Sequence, residues 1–221
     1  ADIGEPAASA NNEFTALRQA GQYYCTALAH VGALIAFPAP CLWSADSRAL
    51  SQSAQTIERY TIMIDYALSQ AIRDQFMSVS TATICTALFK RGLRNQFIQN
   101  VHPLNAKLGN MVGQAFTLRY IPAREDLNTL DVFEDRSHPQ RKAVEECPPG
   151  AVFVIDSRKD ARAASAGSIL VTRLMMRGVA GVVTDGGFRD SPEMAVMDIP
   201  TYHQLPSAPT NLTVHQALDI N

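Results

Sequence analysis

From Pro148 to Thr184 the chain alternates stop signals with apolar runs in a pattern that fits a parallel β-sheet with a crossover helix. Pro148-Pro149-Gly150 is a turn that launches Ala151-Val152-Phe153-Val154-Ile155-Asp156, a nearly continuous apolar run of the kind buried on both faces of a central strand. After a polar loop, Gly167 to Arg177 reads as a helix, with Ile169, Leu170, Leu174 and Met175 or Met176 expected inward and Gly178 as its stop signal. Val179 to Thr184 is then the next strand. A right-handed crossover makes the two strands parallel. The helix start near Gly167 and Ser168 therefore lies at the carboxyl edge of the first strand, and the loop beginning at Asp185 leaves the carboxyl edge of the second. Both arrive at the rim where open α/β sheets bind their ligands.

The chain before this unit has a different texture. Residues 1–76 are rich in Ala, Gln and Ser, poor in Gly, and carry apolar residues at three-to-four spacing, so helices are expected. Ile57, Tyr60, Met63, Ile64, Ala67, Leu68 and Ala71 form an amphipathic stripe behind Ser51-Gln52-Ser53. A preceding helix over about Asn12 to Ala36 is broken by Pro38-Ala39-Pro40. From Ser80 the character changes: Thr81 to Lys90 can form a short helix ending at Gly92, and Met111 to Tyr120 has the β-branched and aromatic content of a strand. The expectation is a mainly helical segment over 1–76, followed by an α/β domain over 77–221.

Composition narrows the partners. With 221 residues and 47% hydrophobic content, the chain can bury one good core with a helical appendage. A formal charge of -2 supplies no broad attraction for phosphate backbones or anionic lipid, so neither nucleic acid nor membrane is an expected partner. The longest apolar stretch, Thr26 to Trp43, is interrupted by His30, Pro38 and Pro40 and falls short of the ~20 residues that span a bilayer. Cys25, Cys41, Cys85 and Cys147 are scattered, without a Cys-x-x-Cys pair, which argues against zinc and against a disulfide framework. The opening residues carry no charged-then-apolar leader, and a cytoplasmic location with reduced thiols is expected. Asn211-Leu212-Thr213 matches a glycosylation sequon, a pattern common by chance.

The chemistry concentrates at the rim. Gly186-Gly187 permits a tight or positive-φ path that turns Phe188-Arg189-Asp190 back over the strand ends. Arg189 offers a planar fork for a carboxylate, and Asp190 offers oxygen ligands for a hard divalent ion such as magnesium. Backbone amides around Ser168 to Leu170 can hold an anionic oxygen. Together these groups suit a 2-oxo acid. Other motifs fare worse: Ala163-x-Ser165-x-Gly167 echoes a nucleophile elbow but follows the strand end too late, so helix capping is the simpler role, and no phosphate-binding glycine loop occurs. His102, His138, His203 and His215 are isolated in sequence and are expected to be surface or satisfied histidines. Glu125-Asp126 and Glu145-Glu146 read as solvated acids.

Gly167-Ser168-Ile169-Leu170, then Gly178, Gly181-Val182-Val183 and Gly187-Phe188-Arg189-Asp190 together resemble the RraA-like family. Ser80-Thr81-Ala82-Thr83, Gly113-Gln114-Ala115-Phe116-Thr117 and Pro149 to Asp156 support the match, which runs from about residue 77 to 221. That family includes the regulator of ribonuclease activity A and class II pyruvate aldolases that cleave 4-hydroxy-4-methyl-2-oxoglutarate and 4-carboxy-4-hydroxy-2-oxoadipate. The resemblance implies a swivelling β/β/α domain assembled as homo-trimers or hexamers. It assigns Arg189 to the pyruvyl carboxylate, Asp190 to Mg2+ or Mn2+, and Gly167, Ser168, Ile169 and Leu170 to substrate binding. The implied activity is a metal-dependent lyase that releases pyruvate from a small 2-oxo acid, with a non-catalytic regulator of a ribonuclease or other protein as the alternative. Two departures stand out. Ser168 occupies the place of an acid twenty-one positions before the family's Arg, and a hydroxyl cannot accept a proton as a carboxylate does at neutral pH. The resemblance further implies a Gly-rich, strand-rich continuation beyond the equivalent of Asn221, which is not among these 221 residues.

Overall fold

The computed structural model describes Thr26–Ala27, Ala33–Leu34 and residues 68–221. Most of the Ile57 to Ala71 stripe lies outside these residues. Of the helix expected over about Asn12 to Ala36, the four described residues form strands instead: Thr26–Ala27 pairs antiparallel with Ala33–Leu34 and with Met111–Val112, so ladder pairing overrides the helical spacing there. Two short strands, β1 (Thr26–Ala27) and β2 (Ala33–Leu34), are followed by helices α1 (Gln70–Met77) and α2 (Thr81–Lys90). Ser69 and Ser80 start these helices by accepting hydrogen bonds from the Ile72 and Thr83 amides, the usual service of a small hydroxyl residue at an N-cap. Then come β3 (Phe97–Ile98), β4 (His102–Pro103), β5 (Met111–Val112), β6 (Ala115–Pro122), α3 (Pro139–Glu146), β7 (Val152–Asp156), β8 (Ala164–Ala166) and α4 (Ser168–Met176). The remainder is β9 (Gly181–Thr184), β10 (Gly187–Phe188), α5 (Ser191–Met194), β11 (Thr201–His203), β12 (Leu205–Pro206) and β13 (His215–Ile220).

A six-stranded sheet in the order β13-β6-β7-β9-β11-β4 forms the centre. Its four inner strands are parallel and both edges are antiparallel. The α/β expectation therefore holds for the described domain. Strand β7 shows why: Phe153 and Ile155 enter the cluster under α3 and α4, while Val152 and Val154 enter a second cluster on the other face with Met111, Val183 and Tyr202. Alternating side chains on a strand buried from both sides must all be apolar, which is what the run beginning at Ala151 supplies. Among the described residues there are two smaller sheets as well, β12-β10-β8 and β3-β2-β1-β5.

Three expectations shift. Met111 to Tyr120 is two strands, because its halves belong to different cores: Val112 packs with Ile84 and Leu88, whereas Phe116, Leu118 and Tyr120 join the main cluster. The "polar loop" before α4 contains β8, whose three residues are all buried. In α4 the inward face is Val171 and Leu174, with Leu170 and Met175 partly covered, while Ile169 and Met176 are 76% and 73% exposed. A helix apolar on nearly every side leaves the phase of its buried stripe undetermined by periodicity alone. Gly178, with φ +78°, ends the helix as expected.

Candidate functional site

The crossover brings the two rim segments into contact. Asp190 Oδ2 accepts from the Ser168 backbone amide at 3.1 Å and from the Ser168 hydroxyl at 3.3 Å. A carboxylate from a distant segment thus caps the amino terminus of α4, where unsatisfied amides and the helix dipole favour negative charge. Arg189 Nε lies 3.5 Å from the same oxygen. Gly167 makes the approach feasible: a Cβ there would lie 2.6 Å from Asp190 Oδ2 and 2.9 Å from Arg189 Nε. Of the amides expected to hold a substrate anion, that of Ser168 is engaged by Asp190. Those of Ile169 and Leu170 begin the first turn, where a helix leaves its amides without carbonyl partners.

The left-handed turn falls on a different residue from the one expected. Neither Gly186 nor Gly187 has positive φ; Asp190 does, at φ 56° and ψ 31°. The glycines are required for space instead, since a Cβ on Gly186 would come within 2.6 Å of Ser157 and one on Gly187 within 2.6 Å of Ser207. Asp tolerates the left-handed region better than most side chains, at a cost of roughly 1–2 kcal/mol. Strain of this kind at a carboxylate aimed into a helix start is characteristic of functional positions.

Beneath the rim lies a buried hydroxyl cluster. Ser165 Oγ is 2.6 Å from Ser157 Oγ and 2.8 Å from Thr184 Oγ1. Ser165 is therefore neither a nucleophile elbow nor a helix cap; it ties β8 to the ends of β7 and β9. Asp185 accepts from the Ser157 and Lys159 amides at 2.6 and 2.9 Å, so it pins the loop after β7. Burial pushes its carboxyl above the usual range, against the pull of those amides.

The rim opens into a cleft of about 210 Å³ whose near wall includes Gly167, Ile169, Leu170 and Arg189. Its far wall comes from residues that sequence reasoning did not single out for chemistry: Phe133, Gln140, Arg141, Thr210 and Asn211. Gln140, on α3, donates from Nε2 to the Tyr120 hydroxyl at 2.7 Å and to the Ser165 carbonyl at 2.9 Å. The loop carrying Asn211 is held beside β8 by the Ala164 amide, which donates to the Pro209 carbonyl at 2.9 Å. Asn211 is 4% exposed, which removes the sequon from the surface. Only the tertiary pairing of 209 with 164 places it here, and no local pattern signals that.

The histidines divide. His215 is buried, stacks on Tyr120 and has Nε2 3.0 Å from the Asp160 carbonyl. His138 and His203 are also buried, but Nδ1 of each lacks a hydrogen-bond partner among the described residues, so they are not the satisfied histidines expected. Burial pulls the pKa of all three down. The solvated acids are as expected: Asp126 pairs with Arg124, and Glu145 with Arg173 and Arg177.

A strand-end rim of this build, inside a β/β/α domain, defines a class of proteins, and comparison identifies it. The family model described as RraA-like, Aldolase/RraA, matches residues 81–220, and the chain belongs to that family. A curated relative from Halalkalibacterium halodurans, carrying the provisional name 4-hydroxy-4-methyl-2-oxoglutarate aldolase, is 32% identical over 138 residues, covering 61% of this chain and 58% of its own length. The chain thus spans little more than half of that relative. Among solved structures, Streptomyces coelicolor RraAS2, described as an unusual member of the RNase ES inhibitor RraA protein family, superposes with a TM-score of 0.60 at 26% identity, over 70% of this chain and 72% of that one. An uncharacterized protein from Pseudomonas syringae pv. tomato shares the fold, with a TM-score of 0.55 at 20% identity over 70% and 67% of the two chains.

Proposed function

We propose that the chain acts on a 2-oxo acid and releases pyruvate, as a lyase that uses a divalent metal. The observation that carries this reading is the meeting of Arg189, Asp190 and the first turn of α4 at the mouth of a cleft with two guanidinium groups and no carboxylate among its lining residues. Arg189 holds the substrate carboxylate through its fork, and the Ile169 and Leu170 amides hold a neighbouring oxygen. Ser168 fixes the Asp190 carboxylate through amide and hydroxyl. Among the described residues no group of three or more His, Cys, Asp or Glu could hold a metal. A divalent ion would accordingly take Asp190 as its protein carboxylate, with water and substrate oxygens completing the shell, a donor set that magnesium accepts. When bound, it would supply Lewis-acid stabilisation of an enolate.

The hydroxyl at 168 ranks the reactions. Cleaving a 4-hydroxy-2-oxo acid requires a base to remove the hydroxyl proton, whereas decarboxylating a 2-oxo diacid requires an electron sink and no base. Ser168 is no base at neutral pH. We therefore expect oxaloacetate decarboxylation to exceed aldol cleavage. The assay offers oxaloacetate and branched 4-hydroxy-2-oxo acids with Mg2+ or Mn2+ and follows pyruvate. Turnover no greater than that of Asp190→Ala would end the reading.

Ser168 and the resemblance to an RNase ES inhibitor family member also support a second reading, a non-catalytic regulator that docks on a ribonuclease. Titrating a ribonuclease with the protein tests it: inhibition that survives Asp190→Ala favours the regulator. The cytoplasmic homo-oligomer implied by the family belongs to both readings, and gel filtration with light scattering tests its assembly.

A further inference from the structure

We propose that Asn211 is a specificity residue of the cleft, which donates its side-chain amide to a second carboxylate on the substrate, beyond the pyruvyl unit. This rests on the reading of the rim as a 2-oxo acid site. Two independent observations meet at Asn211. First, the residue is 4% exposed, and its Nδ2 has no hydrogen-bond acceptor among the described residues. Its Oδ1, by contrast, accepts from the Thr210 hydroxyl at 3.2 Å, which leaves the donor side unserved. Buried donors without acceptors are rare because desolvation is not repaid, so a position that keeps one calls for an external acceptor.

Second, Asn211 lines the same cleft as Arg189 and Gly167, so that acceptor would arrive with the ligand. The charge balance selects its chemistry. Arg189 and Arg141 line the cleft; Asp190 at its mouth offsets one of these charges, and the divalent ion it would hold restores a cationic excess, which favours a dianion over a monoanion. Arg141 is turned toward the Phe133 carbonyl, to which its guanidinium donates, and so contributes field rather than a committed fork. Gln140, the other amide in the far wall, already spends Nε2 on Tyr120 and Ser165. Asn211 is thereby the amide donor left to read a distal oxygen.

The test uses two ligands of similar length that are not expected to be cleaved. 2-Oxoglutarate carries the second carboxylate, and 2-oxopentanoate ends in a methyl group. Calorimetric titration of the full chain with Mg2+ present gives both affinities without turnover. Asn211→Leu should weaken 2-oxoglutarate by about ten-fold or more, the worth of a hydrogen bond to a charged group, and shift 2-oxopentanoate by less than about two-fold. Asn211→Asp keeps the side-chain shape but opposes the dianion with like charge, and should weaken 2-oxoglutarate further still. Melting curves check that at least one variant is folded. Equal losses for both ligands in a folded variant, or none, overturn the proposal. Wild-type protein that binds neither ligand overturns the 2-oxo acid reading itself, whereas binding of both that Arg189→Ala abolishes and Asn211→Leu leaves intact removes only the role of Asn211.

Discussion

The two walls of the cleft are built on opposite principles. The near wall is held by charge: a strained Asp190 caps a helix from another segment, and Arg189 stands beside it, partly exposed. The far wall is held by buried amides and hydroxyls, with Gln140 bridging Tyr120 and Ser165 and Asn211 locked beneath. Removing a group from the near wall should cost chemistry and little stability. For Gln140 in the far wall the balance should reverse, because the buried groups it serves keep their desolvation penalty once the partner is deleted.

The largest effect expected is from Arg189→Ala. Loss of a bidentate charged contact to substrate should lower pyruvate release by at least ~100-fold, while the melting temperature stays close to wild type. A matching collapse of stability would show that Arg189 is structural and break the contrast. Next comes Gln140→Ala, expected to cost about 2–3 kcal/mol in urea unfolding because it strips a donor from both the Tyr120 hydroxyl and the Ser165 carbonyl and leaves a cavity. Unfolding at the wild-type urea midpoint would show that the far wall is not polar scaffolding.

Acidification probes the buried interior as a whole. His138, His203 and His215 have folded pKa values pulled below that of an exposed imidazole by burial. Below about pH 6.5 the unfolded chain therefore takes up protons that the fold resists. Stability is full above that pH and falls as pH drops, by up to about 1.4 kcal/mol per pH unit for each proton withheld. Melting temperatures from pH 7.5 to 5.5 should decline, and replacing His215 with Gln should flatten part of the slope.

The same contrast explains how much could be read from the chain. The near wall was legible because its parts lie in one βαβ unit, where topology alone places Gly167 and Ser168 against Arg189 and Asp190. The resemblance then gave those residues their expected roles. The central strand was legible because burial on both faces forces an apolar run. In α4 periodicity placed Leu170, Leu174 and Met175 correctly but misplaced Ile169, which is apolar without being buried. It missed β8 because Ala164-Ser165-Ala166 has the composition of a loop, and its strand character comes from pairing with Gly187 and Phe188. The far wall was invisible for a related reason. Gln140 and Asn211 are ordinary polar residues, and only the contacts of α3 with the sheet and of Pro209 with Ala164 give them a site.

The smallest effect should come from Ser168→Ala, and it separates the residue's two contacts. The backbone amide, at 3.1 Å, would continue to cap Asp190, and only the longer hydroxyl contact at 3.3 Å would be lost. The lost bond goes to a carboxylate but is long and partly exposed, so the unfolding free energy should fall by about 1.5 kcal/mol at most, the low end for a hydrogen bond to a charged group. Decarboxylation should fall by at most a few-fold, since the hydroxyl serves there as a positioning group and not as a base. Ser168→Asp sharpens the point from the other side. A second carboxylate so close to Asp190 Oδ2 would compete for the same helix amides and raise the pKa of one member of the pair. If aldol cleavage then rises relative to decarboxylation, the acid absent at 168 is what ranks the two reactions; if the ratio stays fixed, the ranking has another source.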